Sequence, residues 1–302
     1  PARAQSDKDF LYREKNSNLR VPEAQKALVQ AKQMGRKNMK ASELMEELLG
    51  LAERRISPTV DTCKAGDPKK QVKRVGTCFI ATPNVIARAA AWGADLLITH
   101  EPTYYDHWDE QEGREQERVR SIKKTLIEQS GMVLWRWHDH LHERMPDGII
   151  EGQLKALGWK GAYDGRFEFL LEEAQSPRQI KAQLEEKWGA EHIRMVGAVD
   201  APVKKIAMLI GCPGEERMMR ALEGDAELLI GGEVCEWKCG EYVRDAAQLG
   251  LKKAILICGH VASERAGMEH ACRLIEQAHP ELCCQYFECG EIYQSDEIKG
   301  QA

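Results

Sequence analysis

The chain has 302 residues, with 43 Lys and Arg against 48 Asp and Glu, and 43% of its residues are hydrophobic. This length and apolar content suffice for two domains, or for one large α/β unit, with a substantial hydrophobic core. A net charge of −5 excludes a basic surface over the whole chain, so nucleic acid is not an expected partner. No apolar run approaches about 18 residues, so we expect no membrane-spanning helix.

The charge is unevenly divided along the chain. Residues 1–40 carry a net charge of +6, which leaves −11 on residues 41–302. We predict a solvated basic extension over residues 1–38, with one helical stretch near residues 22–34, because no apolar targeting core follows the basic residues. The ten cysteines lack the usual two-residue zinc spacing, and no secretory signal precedes them, so we expect a reducing, cytoplasmic location.

From residue 41, short apolar runs alternate with helical patterns. A charged stretch over residues 109–120 leads into a helix, and we expect Ile122 and Leu126 to face inward from it. The glycine-rich region 148–175 is predicted to be the passage between two halves. The remaining pattern predicts helices over residues 43–56, 84–92, 216–224, 242–250 and 264–278, and strands over residues 74–81, 95–101, 132–138, 204–211, 226–233, 253–260 and 284–293.

Near-continuous apolar strands that alternate with helices are typical of mostly parallel sheets covered by helices. We therefore predict an α/β protein of two lobes, approximately residues 39–160 and 161–302, with mixed, mostly parallel sheets around a central cleft. The C-terminal strand could also return to the first lobe.

Histidines and carboxylates gather at three predicted strand ends. His100 and Glu101 follow one strand, the segment 138–143 (HDHLHE) follows another, and His260 precedes Glu264 after a third. Ligands bind beyond the carboxyl ends of strands in such sheets, and imidazole with carboxylate suits zinc, manganese, iron or nickel. The pattern predicts a divalent-metal site in the cleft.

Two neighbouring features leave alternatives open. Glu233, at the end of a predicted strand, either supports the metal site or is simply solvated. The segment 211–216 (GCPGEE) either seats an anion on backbone N–H groups or is a turn, since it lacks the lysine of a phosphate-binding loop.

From about residue 39 to its C-terminus, the sequence resembles the NIF-three-like dinuclear metal-centre family, whose bacterial members are labelled GTP cyclohydrolase I type 2-like. The resemblance rests on four segments in order, GADLLITHEP, WHDHLHERMPDG, LLIGGE and GHVASERAG, and it does not cover residues 1–38. It implies two α/β lobes around a central cleft, two metal ions in that cleft, and a toroidal homohexamer.

Carried onto this sequence, the resemblance implies His100, His260 and Glu264 as metal ligands. Two positions depart from the family pattern: Glu101 stands where the family has the second of two paired histidines, and His142 stands where it has an aspartate. The set still contains three imidazoles and two carboxylates, so we expect a rearranged but intact site. The alternative is a degenerate site that binds one metal ion or none.

We therefore expect a hydrolase that uses two divalent ions, of zinc, iron, manganese or nickel, to activate water against a small-molecule substrate. His138 is the candidate for proton transfer or for orienting a ligand. A non-catalytic metal-binding or regulatory assembly protein is the alternative. The GTP cyclohydrolase label comes from the resemblance alone, because no guanine-recognising pattern is evident.

Overall fold

A computed structural model of the chain describes residues 39–110, 113–114 and 117–293. The basic extension and the helical stretch predicted near residues 22–34 lie outside these described residues. The strands are β1 (Met39–Lys40), β2 (Cys63–Ala65), β3 (Gln71–Val72), β4 (Arg74–Cys78), β5 (Leu96–Thr99), β6 (Val133–Arg136), β7 (Gly161–Tyr163), β8 (Glu168–Gln175), β9 (Arg194–Gly197), β10 (Val203–Leu209), β11 (Leu228–Gly231), β12 (Ala254–Ile257) and β13 (Cys283–Tyr286). The α-helices are α1 (Ala41–Leu49), α2 (Pro83–Trp92), α3 (Arg118–Ser130), α4 (Asp139–His142), α5 (Gly148–Leu157), α6 (Pro177–Trp188), α7 (Glu215–Glu223), α8 (Glu241–Gln248) and α9 (His260–Ala278).

Two mixed sheets form the framework of the two lobes, which confirms the predicted α/β class. The first sheet has the order β13-β4-β5-β6-β2, in which β2 alone is antiparallel to its neighbour. The second has the order β7-β8-β10-β11-β12-β9, and its parallel pairing is confined to β10, β11 and β12. The C-terminal strand β13 lies in the first sheet, beside β4.

The central strands are apolar along their whole length because helices cover both faces of each sheet. Every residue of β5 (LLIT) and of β12 (AILI) is buried. Such strands follow no alternation of apolar and polar residues, as expected for parallel strands with two covered faces. Their carboxyl ends therefore lead into His100, directly after β5, and into His260, three positions after the end of β12, at a polar edge of an otherwise apolar sheet.

The region 148–175, predicted to be the passage between two halves, contains α5 and the strands β7 and β8. One of its glycines, Gly152, serves helix packing. A Cβ atom on Gly152 would lie 2.6 Å from the Cα of Gly267 on α9, and one on Gly267 would lie 2.7 Å from the Cα of Ile149. The two glycines thus allow α5 and α9 to approach closely.

The predicted orientation of α3 is also wrong. Ile122 and Leu126 are 52% and 37% exposed, whereas Arg120 and Lys123 are buried. The two cationic side chains bind carbonyl oxygens of the loop that follows β5, with Lys123 Nζ 2.6 Å from the oxygen of Thr103. Their long aliphatic stems share the inward face of the helix with Ile127, whereas Ile122 and Leu126 lie outward.

Among the described helices, none combines the length and the apolar composition that crossing a bilayer requires.

Candidate metal centre

The three histidine-containing segments meet in one cleft between the two sheets. His100 and Glu101 follow β5, His138 follows β6 and precedes the short helix α4, and His260 begins α9 directly after β12. His260 Nε2 lies 3.2 Å from Glu264 Oε2 and 3.5 Å from Glu101 Oε1. His138 Nε2 lies 3.6 Å from Glu101 Oε1. The carboxyl ends of the parallel strands of both sheets therefore supply side chains to the same point.

Two buried polar atoms at this point lack a hydrogen-bond partner among the described residues. They are Nε2 of His100, whose side chain is fully buried, and Oε2 of Glu264, whose side chain is 4% exposed. The two atoms lie 3.5 Å apart. Because an unpaired buried polar atom is costly, the pair indicates a place for a cation. The donor set and these orphan atoms fit a divalent metal ion.

Each of the four imidazoles of the cleft uses its Nδ1 atom for a hydrogen bond, and the Nε2 atoms of His100, His138 and His260 each lie within 3.6 Å of a glutamate oxygen. Metal-binding histidines are oriented in this way by a carbonyl or carboxylate partner. The partners of Nδ1 are the carbonyl oxygen of Trp137 for His100 (3.1 Å), Asp139 for His138 (3.0 Å), Asp147 for His142 (2.9 Å) and Glu233 for His260 (2.9 Å).

The ligand atoms fall into two groups that could each hold a metal ion. His100, His138 and His142 form one, and His100, Glu101 and Glu264 form the other, with the ligand atoms of each group within 4.8 Å of one another. His260 contacts both glutamates of the second group. The structure thus brings together all six residues that the sequence singled out. Their assignment as ligands stays a prediction.

Gly211, at the start of the GCPGEE segment, makes room for Glu264. Its φ is +65°, and a Cβ atom there would lie 2.1 Å from Glu264 Oε1 and 3.2 Å from His260 Nε2. The backbone N–H of Gly211 donates to the hydroxyl of Ser263, which in turn donates to the carbonyl of His260. This segment therefore forms one wall of the centre.

Asp61 organises the segment that carries His138, and sequence reasoning missed it. Its Oδ1 accepts hydrogen bonds from the backbone N–H groups of His138 (2.6 Å) and Asp139 (3.0 Å). Its Oδ2 accepts from the backbone N–H (2.8 Å) and from Nδ1 (2.7 Å) of His140. The imidazole of His140 then accepts from the backbone N–H of Ile56. A lone Asp in TVDT carries no motif that could have revealed this role.

Arg136 of β6 fixes the conformation of the loop that follows β5. Its buried guanidinium donates to the carbonyl oxygens of His100 (2.9 Å) and His107 (2.6 Å), and it lies 3.9 Å from Glu101 Oε2. The same positive charge therefore fixes the turn that aims His100 and lies beside the carboxylate of Glu101.

The charged groups of the centre perturb one another strongly. Burial alone would lower the pKa of His260, but the adjacent carboxylates of Glu101 and Glu264 raise it to about 12. Burial, together with the neighbouring His100, lowers the pKa of His138 to about 4, so this imidazole is neutral at pH 7. Burial would raise the pKa of Glu264, but its contacts with His100 and His260 hold it well below its usual range. Both glutamates are therefore ionised.

The fold and the site together define a two-lobed α/β protein with a histidine–carboxylate centre between its sheets. The chain belongs to the Duf34/NIF3 (NGG1p interacting factor 3) family, whose model matches residues 39–289. A similar curated protein is a GTP cyclohydrolase 1 type 2 homolog of Pyrococcus abyssi, 24% identical over 219 residues, which are 69% of this chain and 82% of that one. The resemblance expected from the four motifs is thus confirmed.

Solved structures share the fold. A Bacillus cereus protein related to NIF3 superimposes with a TM-score of 0.68 at 12% identity, over 85% of this chain and 99% of that one. Reduced HcgD from Methanocaldococcus jannaschii gives 0.63 at 18% identity, over 82% and 98%. The protein ybgI, of unknown function, gives 0.68 at 18% identity, over 84% and 99%. At these identities the likeness shows the fold alone.

Proposed function

We propose that this chain binds two divalent metal ions in the cleft and uses them to hydrolyse a small molecule. The observation that carries the proposal is the convergence of four imidazoles, each with Nδ1 bonded to a fixed acceptor, and two ionised glutamates in two groups of candidate ligand atoms that share His100. In a cluster with a purely structural role, buried polar atoms are expected to be hydrogen-bonded to one another, whereas His100 Nε2 and Glu264 Oε2 are not.

The residues that would hold the ions are His100, Glu101, His142, His260 and Glu264. When bound, a pair of divalent ions lowers the pKa of water and polarises a carbonyl or phosphoryl oxygen of a substrate. Zinc, iron, manganese and nickel all suit this donor set.

Other side chains of the chain would hold these ligands in position. Glu264 Oε2 lies between Nε2 of His100 (3.5 Å) and Nε2 of His260 (3.2 Å), and the burial of Glu264 restrains it from rotating into solvent. Asp147 and Glu233 fix the orientation of the rings of His142 and His260 through Nδ1, which leaves Nε2 of each ring as the atom available to a metal. Arg136 keeps the loop after β5 closed against the sheet.

The name of the Pyrococcus abyssi relative makes cyclic amides and amidines of nucleotides suitable candidates, with phosphodiesters as a second class. The test is metal-dependent turnover of such a panel by the loaded protein and by Glu264→Gln. We expect turnover by the wild type and a loss on the order of 100-fold or more in the variant. A wild type that carries metal but turns over no member of the panel would favour the non-catalytic metal-binding alternative.

Glu151→Gln is the matched control for losing a carboxylate from a charged cluster. Glu151 contacts His270, Lys155 and Arg144 on the far side of α5, outside the centre. We expect this variant to keep both metal and turnover.

The family resemblance further leads us to propose a cytoplasmic homohexamer. Light scattering on the purified protein tests the assembly, with an expected mass about six times that of the 34.1 kDa chain. A monomeric mass at micromolar concentration would contradict it.

A further inference from the structure

We propose that His138 is a sixth metal ligand, and that the centre is therefore asymmetric. One position would have three imidazoles, from His100, His138 and His142. The other would have one imidazole and two carboxylates, from His260, Glu101 and Glu264. The inference rests on the proposed function, since it requires that two metal ions bind, and it replaces the proton-transfer or orienting role first expected of His138.

The three imidazoles of the first position form a compact triangle. The His100 and His138 rings stack with their centroids 4.5 Å apart, and the His142 ring meets each of them edge-on with centroids 5.0 Å apart. Their candidate ligand nitrogens lie within 4.8 Å of one another. Three imidazole nitrogens at this spacing can converge on one ion of the size of zinc.

The support around His138 is that of a ligand. Its Nδ1 bonds to Asp139, whose other carboxylate oxygen accepts from the hydroxyl of Thr59 (2.8 Å) and the backbone N–H of Val60 (3.0 Å). Asp139 is thus held in place by two donors and fixes the orientation of the His138 ring, as carboxylate partners of metal-binding histidines do. Its Nε2 faces Glu101, at the boundary between the two positions.

The assignment of three ligands to each of the two metal positions follows from the place of His100. Its Nε2 belongs to both candidate groups, but one lone pair can bind only one ion. If His100 joins His138 and His142, the atoms that remain are those of Glu101, Glu264 and His260. His260 Nε2 lies 3.2 Å from Glu264 and 3.5 Å from Glu101. Every candidate ligand then has one position.

The two donor sets differ in chemical preference. Imidazoles favour zinc, nickel and copper, whereas carboxylates also suit manganese. We therefore expect a protein given one equivalent each of zinc and manganese to hold both metals, with zinc at the three-imidazole position.

The test is cobalt binding by the wild type, by His138→Ala and by the control His107→Ala. His107 is an exposed neighbour, with its ring centroid 6.2 Å from that of His138. It belongs to neither of the two candidate ligand groups found among the described residues. We expect two cobalt ions per chain in the wild type and in His107→Ala, and one in His138→Ala. Two ions in a folded His138→Ala would overturn the inference while leaving the proposed function standing, whereas no cobalt in the wild type would overturn both.

A second measurement needs no variant at position 138. In the cobalt-loaded wild type, each bound imidazole keeps an Nδ1–H proton that the metal shifts out of the ordinary proton NMR range. We expect four such exchangeable resonances if His138 binds with His100, His142 and His260. Three resonances would overturn the inference even if His138→Ala failed to fold.

Discussion

The charged residues of the cleft are arranged in two layers around its centre. Glu264 and the four imidazole Nε2 atoms face inward, and Asp139, Asp147 and Glu233 stand behind the imidazoles. The inner layer is the part that binds metal in the proposal. The outer layer holds the rings in one orientation, and its removal is expected to weaken metal binding by about 10- to 100-fold.

Gly211 offers the sharpest test at the scale of one residue. In Gly211→Ala, the new methyl group would lie 2.1 Å from Glu264 Oε1. Because Glu264 is buried, its carboxylate can relieve this clash only by moving out of its position in the centre. We expect a folded variant with reduced metal content, measured by elemental analysis. Gly158→Ala is the control, since Gly158 has the same φ of +65° and open space around its Cβ position. Both variants bear the left-handed backbone cost of roughly 1–2 kcal/mol, so equal metal content in the two would contradict the steric account.

The sequence identified the inward-facing residues because of their chemistry and place. His100, His138 and His260 are imidazoles at the ends of apolar strands, and that juxtaposition is visible without a structure. Asp61 was missed because its partners are backbone N–H groups some 77 to 79 residues away. Such groups are present at every position, so a sequence cannot show which of them an aspartate will bind.

At the scale of elements, the segment before β2 and the helix α4 form one interlocked unit. Thr59 and Val60 bind Asp139, Asp61 binds the first turn of α4, and Arg54 pairs with Glu143 at 2.8 Å. The short helix carries one of the proposed ligands, His142, and directly follows another, His138, but has too few backbone hydrogen bonds to form alone. The geometry of α4 therefore depends on the segment before β2.

Asp61→Asn tests this dependence. The two oxygens of Asp61 divide their four hydrogen bonds between two pairs of donors, so an amide must turn its NH₂ group toward one pair. We expect a loss on the order of 2 kcal/mol in the free energy of unfolding and a lower metal content. The control is Asp164→Asn, because a single oxygen of Asp164 accepts all three of its backbone bonds and an amide can keep them. A metal content as high in Asp61→Asn as in this control would show that α4 holds its geometry alone.

The sequence predicted strands correctly where both faces of the strand are buried. The all-apolar strands β5 and β12 gave unambiguous patterns. The strand β8 did not, since only Phe169 and Leu171 are buried along its eight residues and its pairing with β10 is antiparallel and irregular. The face of α3 was assigned wrongly because Lys123 is buried against carbonyl groups of a distant loop.

At the scale of the whole molecule, the proposed ligands come from both lobes. His100, Glu101, His138 and His142 follow strands of the first sheet, and the final pair, His260 and Glu264, follows β12 of the second. Bound metal would therefore tie the two sheets together across the cleft. The contacts of α9 with α5 and with β4 do not depend on metal and would remain without it.

Metal removal should accordingly lower the stability of the whole chain. A ligand that binds only the folded state at 1,000 times its Kd adds about 4 kcal/mol, and we expect chelation to lower the Tm by about 8–16 °C. Thermal unfolding followed by circular dichroism, with and without chelator, measures this shift. Glu264→Gln is the control and should respond little to chelator. An unchanged Tm in the wild type would mean that the cleft binds no metal under these conditions.

The central claim is that the cleft between the sheets is a dinuclear metal centre. The most direct measurement is a crystal structure of the zinc-loaded protein with diffraction data on both sides of the zinc absorption edge. The account predicts two anomalous peaks, each about 2.0–2.2 Å from its nitrogen and oxygen ligands among His100, Glu101, His142, His260 and Glu264. A cleft without anomalous density, in a crystal grown with excess zinc, would contradict it.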